Sequence, residues 1–381
     1  MRSTSGRTSR RWGRGSKLVL ATAVVAIVAA ACASPANAMR IGPEGGSSKP
    51  TSTMWVGIMG QYDSTRSTNI TDIKGAASYV RLASASAADV ANATSAGVKV
   101  IDCICTDISG GYGPGVYDLG GVSAINATDW ANYAYNWFNS LPAASQSDVV
   151  AIEVLNEPYG WWFWGGDAAN PTAANQANAN AYAALLKAVN AKFRQQPFQA
   201  CKCRPLILAS WDYQWGGEVW NPSNPKATKY VNSPVNNYID GVTVHPYLGR
   251  GDRSLAAKGN QAQVTAAYNA TGKPVYVTEV GWSTAWGQNT GDWLQWHEAD
   301  QATNMTNFVT WAQGTGYVNA VIIFTMRDYT MGKGTQTDPT VWDWYGIERS
   351  DGSHKPSYDA LAQFRSVPRR PRVVPAPSGR G

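Results

Sequence analysis

The chain has 381 residues, 44% of them hydrophobic and 15% charged, with its 37 glycines and 20 prolines spread along it rather than gathered in tracts. That is a globular composition, large enough for one big domain or two small ones. The formal net charge of +6 does not mark a nucleic-acid binder, because six cations with no balancing acid lie in residues 1–38 and four arginines lie in the C-terminal tail, leaving the part between mildly acidic.

Residues 1–38 read as an export signal. Arg2, Arg7, Arg10, Arg11, Arg14 and Lys17 form a basic start, Leu18–Ala33 an apolar stretch, and Ala36-Asn37-Ala38 a small-residue cleavage site. The apolar stretch is short for a membrane span, so no stable membrane insertion is expected after cleavage and the mature protein is expected outside the cell. Lipid anchoring at Cys32 is a weaker alternative. Residues 39–52 (MRIGPEGGSSKPTS) read as a flexible linker.

Eight apolar runs follow, at Trp55–Tyr62, Tyr79–Ala83, Val98–Asp107, Val149–Tyr159, Pro205–Asp212, Ile239–Tyr247, Lys273–Trp282 and Val318–Asp328. Helical spacing separates most of them. The segments are Ser86–Gly97, Asn126–Leu141, Asn175–Gln195, Gln261–Ala270, Glu298–Gln313 and a closing Ser357–Arg365. This alternation predicts an α/β protein, a single-domain (β/α)₈ TIM barrel over residues 53–365, with a Pro/Arg-rich tail at 366–381 that lacks fixed structure. An open doubly wound sheet would show a glycine-rich phosphate loop after its first strand, and none is present.

After cleavage the cysteines are Cys103, Cys105, Cys201 and Cys203. Three disulfide pairings are open to them in an oxidising compartment. Their C-x-C spacing is not that of zinc sites, and His245, His297 and His354 are scattered. No metal or cofactor is expected, and a monomer is.

The chemistry concentrates at two strand ends. The run VVAIEVLNEPY closes on Asn156-Glu157-Pro158, where proline cannot donate to a ladder, and KPVYVTEVGW carries Glu279 in an otherwise apolar setting. Barrels keep their reactive groups at the C-terminal ends of strands. Facing carboxyls roughly 5 Å apart can split acid and nucleophile duties without a metal, since the charge on one favours the proton on the other. Glu153, four residues before Glu157, reads as part of a buried polar network. Asp107, Asp212 and Asp328 also end strands, as substrate hydrogen-bonders or partners of an arginine such as Arg327.

Asn156-Glu157-Pro158 and Thr278-Glu279 resemble the motifs of the clan A barrel glycoside hydrolases, which include families 5 and 39, and the resemblance spans nearly all of residues 53–365. It implies Glu157 as general acid/base and Glu279 as nucleophile, acting through a covalent glycosyl-enzyme. It further implies Asn156 at the sugar 2-hydroxyl, His245 and Tyr247 beside the reacting sugar, and Arg81 supporting the nucleophile. The chain departs from family 5 in two places. Cys105-Thr106-Asp107 stands where a histidine is usual, and Phe324-Thr325-Met326 where a tryptophan platform is usual.

Tryptophans gather past the strand ends, and indole faces cover sugar rings well. Trp161, Trp211 and Trp282 are the expected stacking residues, while Trp130 and Trp137 read as core. The expected partner is a carbohydrate, cut within an extended β-linked chain. A transglycosylase on the same fold and a non-catalytic glycan-binding barrel are the alternatives.

Overall fold

The computed structural model describes residues 54–60, 70–105, 125–158, 172–194, 203–211, 237–247, 256–287, 294–328 and 341–365, all within the unit Pro50–Gly381. Eight parallel strands close into a barrel in sequence order. They are β1 (Trp55–Met59), β2 (Tyr79–Ala83), β3 (Lys99–Ile104), β4 (Val149–Val154), β5 (Leu206–Ser210), β6 (Gly241–Val244), β7 (Val275–Val280) and β8 (Val318–Ile323). Closure is made by β1 on β8, with Trp55 opposite Ala320 and Ile58 opposite Ile323. The barrel expected from eight apolar runs is the barrel observed.

The α-helices among the described residues are α1 (Ile70–Ala76), α2 (Ala87–Ser95), α3 (Ala127–Ser140), α4 (Ala143–Asp148), α5 (Thr172–Arg194), α6 (Ala256–Thr271), α7 (Glu298–Thr315) and α8 (Pro356–Ala362), with a short 3-10 turn at Val341–Trp344. Local chemistry sets several of their ends. Ser86 and Asp89 form a reciprocal capping box on α2, and Asn126 accepts from Thr128 and Asp129 N–H groups at the start of α3. Gly316, at φ 74°, ends α7 in the left-handed conformation that glycine adopts without strain. Pro356 opens α8, where its missing N–H costs nothing. The sequence pattern misses α1 because Gly75 interrupts it. A Cβ at that position would meet the Tyr358 hydroxyl, so any larger residue needs the tyrosine tip to move. None of these helices is long and apolar enough to cross a membrane.

Both faces of every strand are buried, which is why the strands read as continuous apolar runs instead of alternating ones. Side chains pointing outward, such as Ile58, Val80, Val100, Ile152, Val244 and Val277, pack beneath the helices together with Trp130, Phe138 and Leu186. Those pointing inward fill the lumen with Met59, Ile101, Ala151, Leu208, Tyr276 and Ile322. Each large apolar side chain so buried contributes about 1.5–3 kcal/mol. Above this apolar plug, nearer the C-terminal ends of the strands, the inward positions turn polar and hold Arg81, Glu153, Thr243 and Thr278, all with no exposed surface.

Cys103 and Cys105 are joined by a disulfide at the end of β3, and Cys203 is also disulfide-bonded. The segments expected to be a signal (1–38), a linker (39–52) and a tail (366–381), together with Cys201, Asp107, Trp161 and Asp212, lie outside the described residues.

Candidate active site

The loop after β4 is shaped by its backbone. The ladder stops at Val154, four residues before Pro158, because Leu155 turns left-handed at φ 61°; Glu157 follows at φ 43°. Non-glycine residues there are strained by about 1–3 kcal/mol each and persist only where the surroundings hold them. Three contacts hold this loop. Leu155 N–H donates to Ile104 O, and the side chains of Asn156 and Glu157 are engaged from across the barrel.

Arg81 on β2 is the hub. Its Nε donates to Glu153 Oε2 at 2.7 Å, its Nη1 to Glu279 Oε1 at 2.7 Å and its Nη2 to Asn156 Oδ1 at 2.8 Å. The guanidinium fork reaches three acceptors at fixed angles, which a lysine cannot do. Glu279 takes a further hydrogen bond on Oε2 from the Tyr247 hydroxyl at 3.0 Å. His245, just past β6, sits with Nδ1 2.7 Å from Glu157 Oε1 and Nε2 3.0 Å from Thr278 Oγ1. Thr278 in turn donates to Glu153 Oε1 at 3.0 Å.

The structure thus brings together Arg81, Asn156, Glu157, His245, Tyr247 and Glu279 from four strands of the barrel. Ligand-type atoms of Glu157, His245 and Glu279 all lie within 4.8 Å of one another, so the two carboxyl groups face each other at close range. Glu157 is the more open of the two, with 18% of its side chain exposed against 8% for Glu279.

Electrostatics follow from this crowding. Burial alone would favour neutral His245. The negative charge of Glu279 and the hydrogen bond and charge of Glu157 outweigh it, even against Arg81, and lift its pKa to about 9. Burial likewise opposes ionised Glu153, but Arg81 and His245 hold its pKa below the usual glutamate value. Tyr247 is pushed well above an ordinary phenol, by burial first and by Glu279 second, so it stays a donor. Near neutral pH the site therefore holds two cations, Arg81 and His245, among three carboxyl groups.

The triple Glu157, His245 and Glu279 has the spacing of metal ligands, but those donors are already used. Both His245 nitrogens are hydrogen-bonded, and the Arg81 cation lies against Glu279. A second group, Asp72, Glu348 and His354, also has that spacing. There Arg327 fills the role of counter-charge, at 2.9 Å from Glu348.

Some expectations need correction. Trp211 and Trp282 do not present open indole faces. They are only 3% and 4% exposed within the outer core, and Trp282 packs edge-on against Phe308 of α7 at 6.0 Å. Packing in the outer core encloses both rings. Asp328 accepts from Lys355 Nζ at 2.8 Å and from the Gly346 N–H, so a lysine stands where an arginine partner was expected. Arg327 pairs with Glu348 instead. Trp342, one of the tryptophans that gather past the strand ends, does stand beside the site. It is 38% exposed, stacks on Tyr345 at 5.4 Å and meets Tyr247 edge-on at 5.6 Å.

Solved structures with the same fold include a family 39 glycoside hydrolase from the gut symbiont Bacteroides cellulosilyticus WH2. Its TM-score is 0.52 at 15% identity, over 82% of this chain and 63% of its own. A GH5_18 protein from Streptomyces cattleya, in complex with GlcNAc, matches with TM-score 0.55 at 13% identity, over 82% of this chain and 80% of its own. A GH2 β-galacturonidase from Eisenbergiella tayi, bound to galacturonate, matches with TM-score 0.52 at 11% identity, over 82% and 51%. What is shared is the fold. The chain spans less than two thirds of the first and third of these proteins. No protein-family model and no curated protein matches the sequence.

Proposed function

We propose that the protein is an exported retaining glycoside hydrolase that cuts β-linked poly- or oligosaccharide chains internally, with Glu157 as acid/base and Glu279 as nucleophile. The observation that carries this reading is the facing pair itself, with oxygen atoms of the two carboxyl groups within 4.8 Å. Retaining glycosidases need carboxyls about 5–5.5 Å apart, whereas inverting ones need about 6.5–9.5 Å to admit a water between them. The glycoside hydrolases among proteins of the same fold add support from a second direction.

In the first step Glu279 Oε attacks the anomeric carbon while Glu157 gives its proton to the departing glycosidic oxygen, so the C–O bond breaks as the glycosyl ester forms. In the second step Glu157, now a carboxylate, takes a proton from water, whose oxygen displaces Glu279 from the anomeric carbon. Arg81 and Tyr247 hold Glu279 from opposite sides and fix the direction of attack. Asn156, clamped by Arg81, is placed to meet the 2-hydroxyl of the reacting sugar. Hydrogen bonds of this kind, strengthening as charge develops, lower the barrier because the donors are already oriented.

The test incubates the mature protein, Glu279→Gln and Glu157→Ala with β-glucan, mannan, xylan, galactan and arabinan, and reads the products by mass spectrometry. Release of oligosaccharides by wild type, lost in both variants, is the expected result and names the substrate. Products longer than the input would replace hydrolysis with transglycosylation. Glycan binding without cleavage would make the protein a binding barrel, and undiminished cleavage by Glu279→Gln would overturn the assignment.

A further inference from the structure

Beside the facing glutamates lies a buried acid that takes no direct part in the proposed reaction. Glu153 has no exposed surface, and burying an unpaired carboxylate is costly, yet each of its two oxygens is put to a particular use. Oε2 receives Arg81, whose other nitrogens hold Glu279 and Asn156. Oε1 receives the Thr278 hydroxyl, which faces His245, which faces Glu157. One carboxylate thus reaches both facing glutamates, each through one intermediary arm.

The second arm fixes a proton. A threonine hydroxyl has a single hydrogen, and Thr278 commits it to ionised Glu153. Thr278 Oγ1 is then available to His245 Nε2 only as an acceptor, so Nε2 carries a hydrogen permanently. The one site on His245 free to gain or lose a proton is Nδ1, at 2.7 Å from Glu157 Oε1. We infer, on the reading of Glu157 as acid/base, that Glu153 and Thr278 are positioning residues that lock the His245 tautomer, so that His245 Nδ1 and Glu157 share the one proton that catalysis moves. The raised pKa of His245 agrees with an imidazolium that donates from both nitrogens.

The charged and titratable groups facing His245 are Glu157 and Glu153 from the β4 segment, Glu279 from β7, Arg81 from β2 and Tyr247 from its own segment. Of these only Glu153 meets the Nε2 side, at 3.8 Å. Removing the Thr278 hydroxyl strips the buried Nε2–H of its acceptor and disfavours the imidazolium. Replacing Glu153 by glutamine removes the anion behind it and acts in the same direction.

The experiment uses full-length protein labelled with ¹⁵N-histidine. The chain has three histidines, and His245 is assigned by the signal missing from His245→Asn. Titration by NMR compares wild type with Thr278→Val, Thr278→Ser and Glu153→Gln. The expected result is a His245 midpoint lowered by about one pH unit or more in Thr278→Val, a tenfold change in the imidazolium equilibrium, restored in Thr278→Ser. The alkaline limb of kcat/KM should move with it, while KM at lower pH stays put. A His245 titration in Thr278→Val that superposes on wild type overturns the inference, as does Thr278→Ser behaving like Thr278→Val. Should Glu153→Gln fail to fold, the two threonine variants still decide. If wild type cleaves no glycan, the proposed function falls, and the NMR titration answers the tautomer question by itself.

Discussion

Tyr247 donates its hydroxyl hydrogen to Glu279 Oε2 across 3.0 Å, on the side of the carboxylate opposite Arg81. A hydrogen bond to a charged group contributes about 1.5–3 kcal/mol. Tyr247→Phe keeps the ring in its aromatic nest with Phe324 and Tyr345 and removes only that bond. The expected outcome is a loss of roughly 10- to 100-fold in kcat/KM on whichever glycan proves to be the substrate, with a Tm lower by a few degrees. Unchanged kinetics would reduce Tyr247 to a packing residue.

Arg81 is fully buried between two carboxylates, Glu153 and Glu279, at 2.7 Å from each. Removing one partner of a buried pair leaves an uncompensated charge and typically costs about 3–5 kcal/mol. Arg81→Met retains much of the stem and loses the charge, so urea unfolding should show a destabilisation of that order. A cost under about 1 kcal/mol would mean that the carboxylates do not depend on the guanidinium. Glu279→Gln, which removes one of two competing anions, should cost far less.

The pH dependence of stability follows from His245, whose folded pKa is raised from 6.5 to about 9. Between those values the folded protein binds a proton that the unfolded chain releases, so stability falls as pH rises. The contribution is complete below about pH 6.5 and gone above about pH 9. Thermal melts from pH 6 to 9.5 should show a steeper decline in Tm for wild type than for His245→Asn. Parallel curves would remove His245 as the cause.

The barrel was legible because eight apolar runs alternating with helical spacing allow few other architectures, and because Glu157 and Glu279 close two of those runs. What the pattern could not give was long-range. Leu155 looks like one more strand residue, yet it ends β4 through a left-handed turn that depends on contacts from β3. Trp211 and Trp282 have the composition of a sugar platform, and only the packed structure shows both rings buried in the outer core, that of Trp282 against Phe308 of α7. Glu153 was readable as a buried polar residue from its place in the strand. Its link to Thr278 spans 125 residues of chain and leaves no local trace.

Gly57 on β1 shows how tightly the lumen is filled. It lies opposite Tyr79 on one side and Ile322 on the other. A Cβ there would stand 2.6 Å from Ile322 Cδ1 and 2.7 Å from the backbone oxygen of Tyr79. The isoleucine tip can rotate, but the strand oxygen is held in the ladder. Overpacking of this kind costs about 1–3 kcal/mol, so Gly57→Ala should lower the urea midpoint without touching the polar belt above. If it does not, β1 and β2 can separate more easily than a closed barrel permits.

Trp342 is the aromatic group of the site best placed to meet a ligand. It is 38% exposed, braced from behind by Tyr345 in a stack tilted by 18°, and set edge-on to the ring of Tyr247, which itself holds Glu279. A braced indole offers its remaining face without further loss of side-chain freedom, which is what makes aromatic platforms effective. Trp342→Ala should raise KM about tenfold, equivalent to about 1.4 kcal/mol, and leave kcat within about a factor of three and Tm within a few degrees. Trp342→Phe, with a smaller face on the same brace, should fall between the two. A fall in kcat at constant KM would contradict the platform role and mean that the indole acts through Tyr247, by holding the ring whose hydroxyl aligns Glu279.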